Sequence, residues 1–150
     1  MRTVKDILNS KTKVINQIEP DALVIDALNQ LNSVNLSYLV VMDQHEYKGV
    51  FSERDYTRNV ILKGRASTST MVREVMTKDL PIVSLDDTVE YCMNLMNSHK
   101  VRYLLAYHEH QFYGVITIHD LLRQVIANRE EVFDNLAKKL LDDEESGRIY

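Results

Sequence analysis

The chain has one cysteine, two prolines, four glycines and no tryptophan in 150 residues. A single thiol, Cys92, can form neither an internal disulfide nor a cysteine-rich metal site, and between Tyr91 and Met93 it reads as a small buried hydrophobe. A reducing, cytoplasmic setting is expected. With glycines only at positions 49, 64, 114 and 147, no Gly-rich phosphate loop exists, which excludes a P-loop nucleotide hydrolase. There is no Gly-x-Ser-x-Gly elbow, and the lone cysteine lies within a predicted helix rather than at an activating helix start. The chain is therefore not expected to be an enzyme. No run approaches roughly eighteen uncharged apolar residues, and Arg2, Lys5 and Asp6 interrupt the first ten, so neither a membrane span nor a secretion leader is expected. An excess of positive charge is also missing: 18 basic against 22 acidic residues gives a net charge of −4, which disfavours nucleic acid as a partner. Of five histidines only His108 and His110 lie close together, in a predicted turn, too few for the three or four convergent ligands of a stable metal site.

With 45% apolar and 27% charged residues, the composition is that of a globular protein with an adequate core. The dominant signal is internal. Shifted by 65 residues, positions 20–61 lie over 85–126 without a gap and 14 of 42 pairs are identical, where average composition gives roughly two or three. The identities include Asp21/Asp86, Val24/Val89, Tyr38/Tyr103, Leu39/Leu104, Gly49/Gly114, Val50/Val115, Asp55/Asp120 and Arg58/Arg123. Further upstream the offset becomes 68: Val4-Lys5-Asp6-Ile7-Leu8 recurs as Val72-Arg73-Glu74-Val75-Met76.

Each copy reads β-α-β-β-α. Val24, Ala27, Leu28 and Leu31, like Val89, Cys92, Met93 and Met96, follow helical spacing. Leu36 to Met42 and Tyr47 to Phe51 read as a hairpin, repeated by Val101 to Tyr107 and Phe112 to Ile116. Short strands near Val14 to Ile18 and Ile82 to Val83 open the copies, and second helices run from Ser52 to about Lys63 and from Thr117 to about Ala127. The expected fold is α+β, with two units (1–63 and 72–127) in pseudo-twofold arrangement, their sheets packed face to face, because one unit of ~55 residues is marginal alone. Residues 64–71 read as a linker. Residues 128–150 read as a C-terminal helix, with Val132, Phe133, Leu136, Leu140 and Leu141 at helical spacing, and an acidic tail.

The closest correspondence is Gly49-Val-Phe-Ser-Glu-Arg-Asp55 against Gly114-Val-Ile-Thr-Ile-His-Asp120. A hydroxyl at a strand-to-helix junction with an acid three residues on is the spacing of a capping box, which satisfies free amides at a helix start. The same carboxylate can accept the vicinal hydroxyls of a ribose, while Arg54 and Arg102 suit phosphate oxygens. The two roles are compatible.

These runs, with Val75-Met76-Thr77 and the Leu36-Ser-Tyr-Leu-Val-Val41 strand, resemble a tandem pair of CBS domains, the regulatory units named after cystathionine β-synthase, over Val4 to about Ala127. The resemblance implies two clefts between the units, each holding an adenosine derivative. One would use Asp120 for ribose with Thr117 and His119 beside it, Asn16 to Ile18 and Leu36, Ser37 and Tyr38 near adenine, and Arg102 at phosphate. The mirror cleft would use Asp55, Ser52 and Arg54 with Ile82, Val83 and Val101 to Tyr103. Tyr38 stands where the family often has a small residue and Tyr103 where histidine is common; a tyrosine there either stacks on a base or fills its space. The implied function is a non-enzymatic regulatory module that binds AMP, ADP or ATP as a regulatory ligand, has no catalytic cofactor, forms a homodimer and signals to an unidentified protein. The alternative is a ligand-free dimerising scaffold in which the motif acids only cap helices.

Overall fold

The computed structural model describes residues 2–11, 15–128, 134 and 137–141. The first unit contains α1 (Val4–Ser10), β1 (Gln17–Ile18), α2 (Val24–Val34), β2 (Tyr38–Asp43), β3 (Glu46–Ser52) and α3 (Glu53–Asp55), which continues as a π-helical segment, Tyr56–Ile61. The second contains α4 (Val72–Val75), β4 (Ile82–Ser84), α5 (Val89–His99), β5 (Tyr103–His108), β6 (Gln111–Thr117) and α6 (Ile118–Ala127). Two three-stranded sheets result, β1-β2-β3 and β4-β5-β6, each with a parallel first pair and an antiparallel hairpin.

Local chemistry repeats with the sequence. Helices α2 and α5 both end on a left-handed residue, Asn35 (φ 53°) and Lys100 (φ 54°). The chain then closes back on the helix, Leu36 N–H donating to Leu31 O and Val101 N–H to Met96 O. These bonds hold Leu36 and Val101 out of the strands, so β2 and β5 begin two residues later than the apolar runs predict. Both hairpins turn through two residues of positive φ, Gln44-His45 and Glu109-His110, the geometry that matches strand twist. His110 thus occupies a turn position. The helix expected from Ser52 to Lys63 departs from α geometry after one turn, whereas its counterpart α6 stays α-helical throughout.

Each sheet has two apolar faces. The outer faces are covered by helices, and the inner ones meet through Val40, Val50, Leu80, Leu105 and Val115, with Tyr47, Tyr107 and Phe112 packed at the hairpin ends. The face-to-face arrangement of two β-α-β-β-α repeats is therefore observed.

Each unit lends its leading helix to the other. Val4 and Ile7 of α1 are buried among Val83, Cys92, Leu104 and Leu121, while Val72 and Val75 of α4 are buried among Val24, Leu39, Phe51 and Val60. The backbone bonds mirror one another: Val4 N–H to Asp87 O and Lys5 N–H to Leu85 O in one half, Val72 N–H to Ala22 O and Arg73 N–H to Pro20 O in the other. The repeated glycine seats the exchanged segment. A Cβ on Gly49 would lie 2.9 Å from both Met76 Sδ and Thr77 O, and one on Gly114 3.3 Å from Leu8 Cδ2. The stretch 64–71 is accordingly more than a spacer: Thr70 is buried, its carbonyl accepts Val24 N–H, and Ser67 O accepts Ile25 N–H. Among the expected C-terminal residues, Leu140 and Leu141 lie in a helical stretch, 137–141, and are exposed. Val132, Phe133, Leu136 and Val14 lie outside the described residues.

Truncating Ile7 should therefore loosen the half of the molecule to which it is not covalently next. Ile7→Ala is expected to cost about 2–5 kcal/mol, and amide exchange should rise first in β5, β6 and α6, with β2 and β3 less affected.

Candidate functional site

Both motif acids sit at the third position of a helix that springs directly from a strand. Ser52 and Thr117 end β3 and β6 in extended conformation and become N-caps, and each forms a full capping box with its acid. Asp55 N–H donates to Ser52 Oγ (3.2 Å) and Ser52 N–H to Asp55 Oδ2 (2.8 Å); the equivalent bonds of Thr117 and Asp120 are 3.2 and 2.9 Å. The carboxylates are almost fully buried, at 6% and 2% exposure.

Their remaining partners differ. Asp55 Oδ2 also accepts the Ser52 hydroxyl, and Oδ1 accepts the Thr77 hydroxyl at 2.6 Å. Thr77 is delivered by the exchanged segment, bridged to Val50 of β3 through two 2.9 Å backbone bonds. Asp120 meets cations instead: Lys11 Nζ donates to Oδ2 at 2.9 Å and Arg123 Nη2 to Oδ1 at 2.6 Å. Lys11, just past α1, also donates to Val115 O. In α6 the i+3 residue Arg123 lies over Asp120, whereas its counterpart Arg58, in the π-helical segment, makes no ion pair with Asp55 among the described residues.

The titration behaviour diverges accordingly. Burial pushes the Asp55 carboxyl up, and the Thr77 and Ser52 hydrogen bonds only partly offset it. Burial also pushes Asp120 up, but the Thr117 amide, Lys11 and Arg123 outweigh it and hold the group below its usual value.

Lys11, Asp120 and Arg123 line a cavity of about 290 Å³ together with Ile7, Ser10 and Gln124. This is near the lower end of ligand-pocket volumes. Across the seam between units, the Tyr38 and Tyr103 rings pack at 5.1 Å between centroids, tilted by 48°. Burial pushes the Tyr38 hydroxyl up to about 12, with Asp120 adding to the shift. Tyr103 shares its hydroxyl with Ser37 Oγ at 3.1 Å and lies in the field of Asp55. Each tyrosine thus reaches toward the acid of the other unit.

The other expected site residues are distributed unevenly. Thr117, Ser52, Ser37, Tyr38 and Tyr103 stand with the two acids as described. Ile18 packs against the first unit's own helical core and Val83 is buried in that of the second, because strand alternation turns them to the helix side; Leu36, closed back onto Leu31 O at the end of α2, packs against the first core as well. Ile82, on the opposite face, is 61% exposed. Val101 packs at the edge of the inter-sheet layer, and Asn16 gives its carbonyl to Val40 N–H. Arg54, Arg102 and His119 are exposed. Arg102, expected at phosphate beside Asp120, makes no ion pair among the described residues and lends its backbone carbonyl to Ile118; the cations that meet Asp120 are Lys11 and Arg123. Sequence reading missed Lys11, Thr77 and Gln124 as site residues. Arg123 was visible as a repeated residue, three positions after the motif acid.

The opposite shifts have opposite consequences for stability. Asp120 titrates lower folded than unfolded, so its contribution is complete above the unfolded value and is lost as pH falls through the folded one. Asp55 titrates higher folded, so its ionisation costs stability at neutral pH, and that cost is relieved as pH falls through the raised value. Asp120→Asn is expected to lose about 1–3 kcal/mol at neutral pH, chiefly by leaving Lys11 unpaired, since Arg123 is 67% exposed and screened. Asp55→Asn should cost less, and the gap between the variants should narrow in denaturant melts toward about pH 3. An equal loss for both at neutral pH would contradict this assignment.

Comparison with known proteins agrees with the geometry. The CBS domain family model matches residues 4–61 and 72–127. The chain is 29% identical over 143 residues to the mitochondrial CBS domain-containing protein CBSX3 of Arabidopsis thaliana, covering 89% of this chain and 69% of that one. It is 31% identical over 121 residues to arabinose 5-phosphate isomerase KdsD of Yersinia pestis, covering 80% of this chain and 36% of the enzyme. A solved structure of a protein with CBS domains from Burkholderia ambifaria superimposes with a TM-score of 0.79 at 33% identity, over 85% of this chain and 96% of that one. With both repeats matched in sequence and in fold, the chain belongs to the CBS domain family and carries a tandem CBS-domain pair, a regulatory module.

Proposed function

We propose that this module senses an adenine nucleotide at the Asp120 cleft and passes the resulting change in packing of its two units to a partner protein. The observation that carries this reading is the grouping of Asp120 with Lys11 and Arg123 around one cavity. A carboxylate offers about four acceptor positions, three of which are taken on Asp120, so one remains there for a ribose hydroxyl. The trio carries a net charge of +1 (two cations, one anion), which favours an anionic ligand. AMP, ADP or ATP supplies both groups.

The route to a partner is built into the exchange of helices. Lys11 follows α1, which is packed in the second unit, and leads toward β1 of the first. A phosphate that takes the third ammonium donor of Lys11, the other two being held by Asp120 and Val115 O, biases the seating of α1 in the second unit, provided its affinity differs between the two arrangements. Chemistry is not assigned to the site: its groups bind charge and hydroxyls, and none is placed as a nucleophile. A homodimer is proposed through the apolar residues left on the helices after the motif acids, Ile61, Leu62, Leu122 and Ile126, all exposed in one chain.

A ligand-free scaffold is the second reading, favoured by one observation: both acids form complete capping boxes and the Tyr38 and Tyr103 rings fill the seam against each other. The cavity at Asp120 is lined by neither ring, which favours the first reading.

Calorimetry with AMP, ADP and ATP separates the two. Binding tighter than about 1 mM, roughly 4 kcal/mol of favourable free energy, is expected for at least one. Asp120→Asn and Lys11→Met should each weaken it about tenfold, as expected for loss of one charge-assisted hydrogen bond, and Asp55→Asn should leave it nearly unchanged. No heat with any nucleotide would support the scaffold.

A further inference from the structure

The two units place equivalent amide side chains one turn beyond their motif acids, Asn59 and Gln124, and use them differently. Asn59 Nδ2 donates to Val75 O of the exchanged helix α4 at 3.2 Å. The carbonyl that corresponds to Val75 O in the other half is Ile7 O of α1, and there the Ser10 hydroxyl occupies it at 2.8 Å. Ser10 thereby relieves Gln124 of the structural duty its counterpart performs. Gln124 Oε1 is left shielded from solvent with no hydrogen-bond donor among the described residues. A buried acceptor without a donor is disfavoured, and the terminal torsion of a glutamine is broad, so a small rotation onto a donor in the adjoining space is downhill.

That adjoining space is the Asp120 cavity, which Ile7, Ser10 and Gln124 all line. Asp120 itself is nearly saturated: Oδ2 accepts from Thr117 N–H and Lys11, Oδ1 from Arg123. With about one acceptor position left on Oδ1, a vicinal diol cannot place both hydroxyls on the carboxylate without expelling a cation. We propose that Gln124 is the second acceptor of the diol, one hydroxyl going to Asp120 Oδ1 and its neighbour to Gln124 Oε1. Gln124 is then a specificity-determining residue that selects ribose over deoxyribose while leaving a cation on Asp120. The inference rests on nucleotide binding at the Asp120 cleft, and it assigns a role that the first unit, with Asn59 tied to Val75, does not have.

The test is a ligand-by-residue cycle: the affinities of ATP and its 2′-deoxy and 3′-deoxy forms for wild type, Gln124→Met and Gln124→Glu, by calorimetry. Wild type is expected to prefer ATP over one deoxy form by about two- to tenfold, the range of one net hydrogen bond. Gln124→Met keeps length and helix propensity but has no carbonyl; it should lose that preference while binding the same deoxy form as wild type does. Gln124→Glu retains an acceptor and should keep the preference while weakening all three ligands through its added negative charge. Thermal unfolding of Gln124→Met should match or exceed wild type, because a donorless buried oxygen is removed. If ATP binds and Gln124→Met retains the full preference, the assignment of Gln124 is overturned and nucleotide binding stands. If no nucleotide binds wild type, both fail together.

Discussion

The structure depends on the exchange of leading helices. A three-stranded sheet with two helices cannot cover both its faces, so each unit meets one deficit with the partner sheet and the other with a helix borrowed from across the molecule. Val4 and Ile7 close the second core, Val72 and Val75 the first, and neither half has a complete interior without the other. This reciprocal burial ties the two halves together despite the duplicated sequence. It also brings residues from distant parts of the chain to each motif acid: Thr77 to Asp55 and Lys11 to Asp120.

On that frame, duplication preserved the backbone and let the electrostatics diverge. Both acids keep the same capping bonds, so the helix starts are secure in both units. The remaining lone pairs were free to take different partners, two hydroxyls in one case and two cations in the other. A buried carboxylate satisfied only by neutral donors is raised in pKa, whereas one facing an ammonium and a guanidinium is lowered. The two sites thus share their capping geometry and differ in charge.

Much of the architecture was legible because it is written twice. The ungapped offset of 65, the helical spacing of Val24, Ala27 and Leu31, and the alternating hairpin strands each follow from periodicities that local sequence carries. The motif acids were legible too, because a hydroxyl three residues before an acid has a fixed local geometry. What stayed hidden is non-local. The sequence does not record that Val83 is buried in the second core while Ile18 packs half-buried against the first, and the chain repeat gave no hint that α1 and α4 change places. The π turn after Asp55 was hidden as well, since Tyr56 to Ile61 has nearly the same pattern as its α-helical copy.

By itself, then, the sequence determined the number of units, their elements, the capping boxes and the two candidate carboxylates, all of which depend on residues within a few positions of one another. Tertiary structure alone decided which carboxylate meets cations, where the cavity lies, and that Gln124 Oε1 meets no donor among the described residues while Asn59 is bound. The reason is distance along the chain. Lys11 and Asp120 are 109 residues apart and meet only because burying α1 in the opposite unit is favourable, and no local pattern records that transfer.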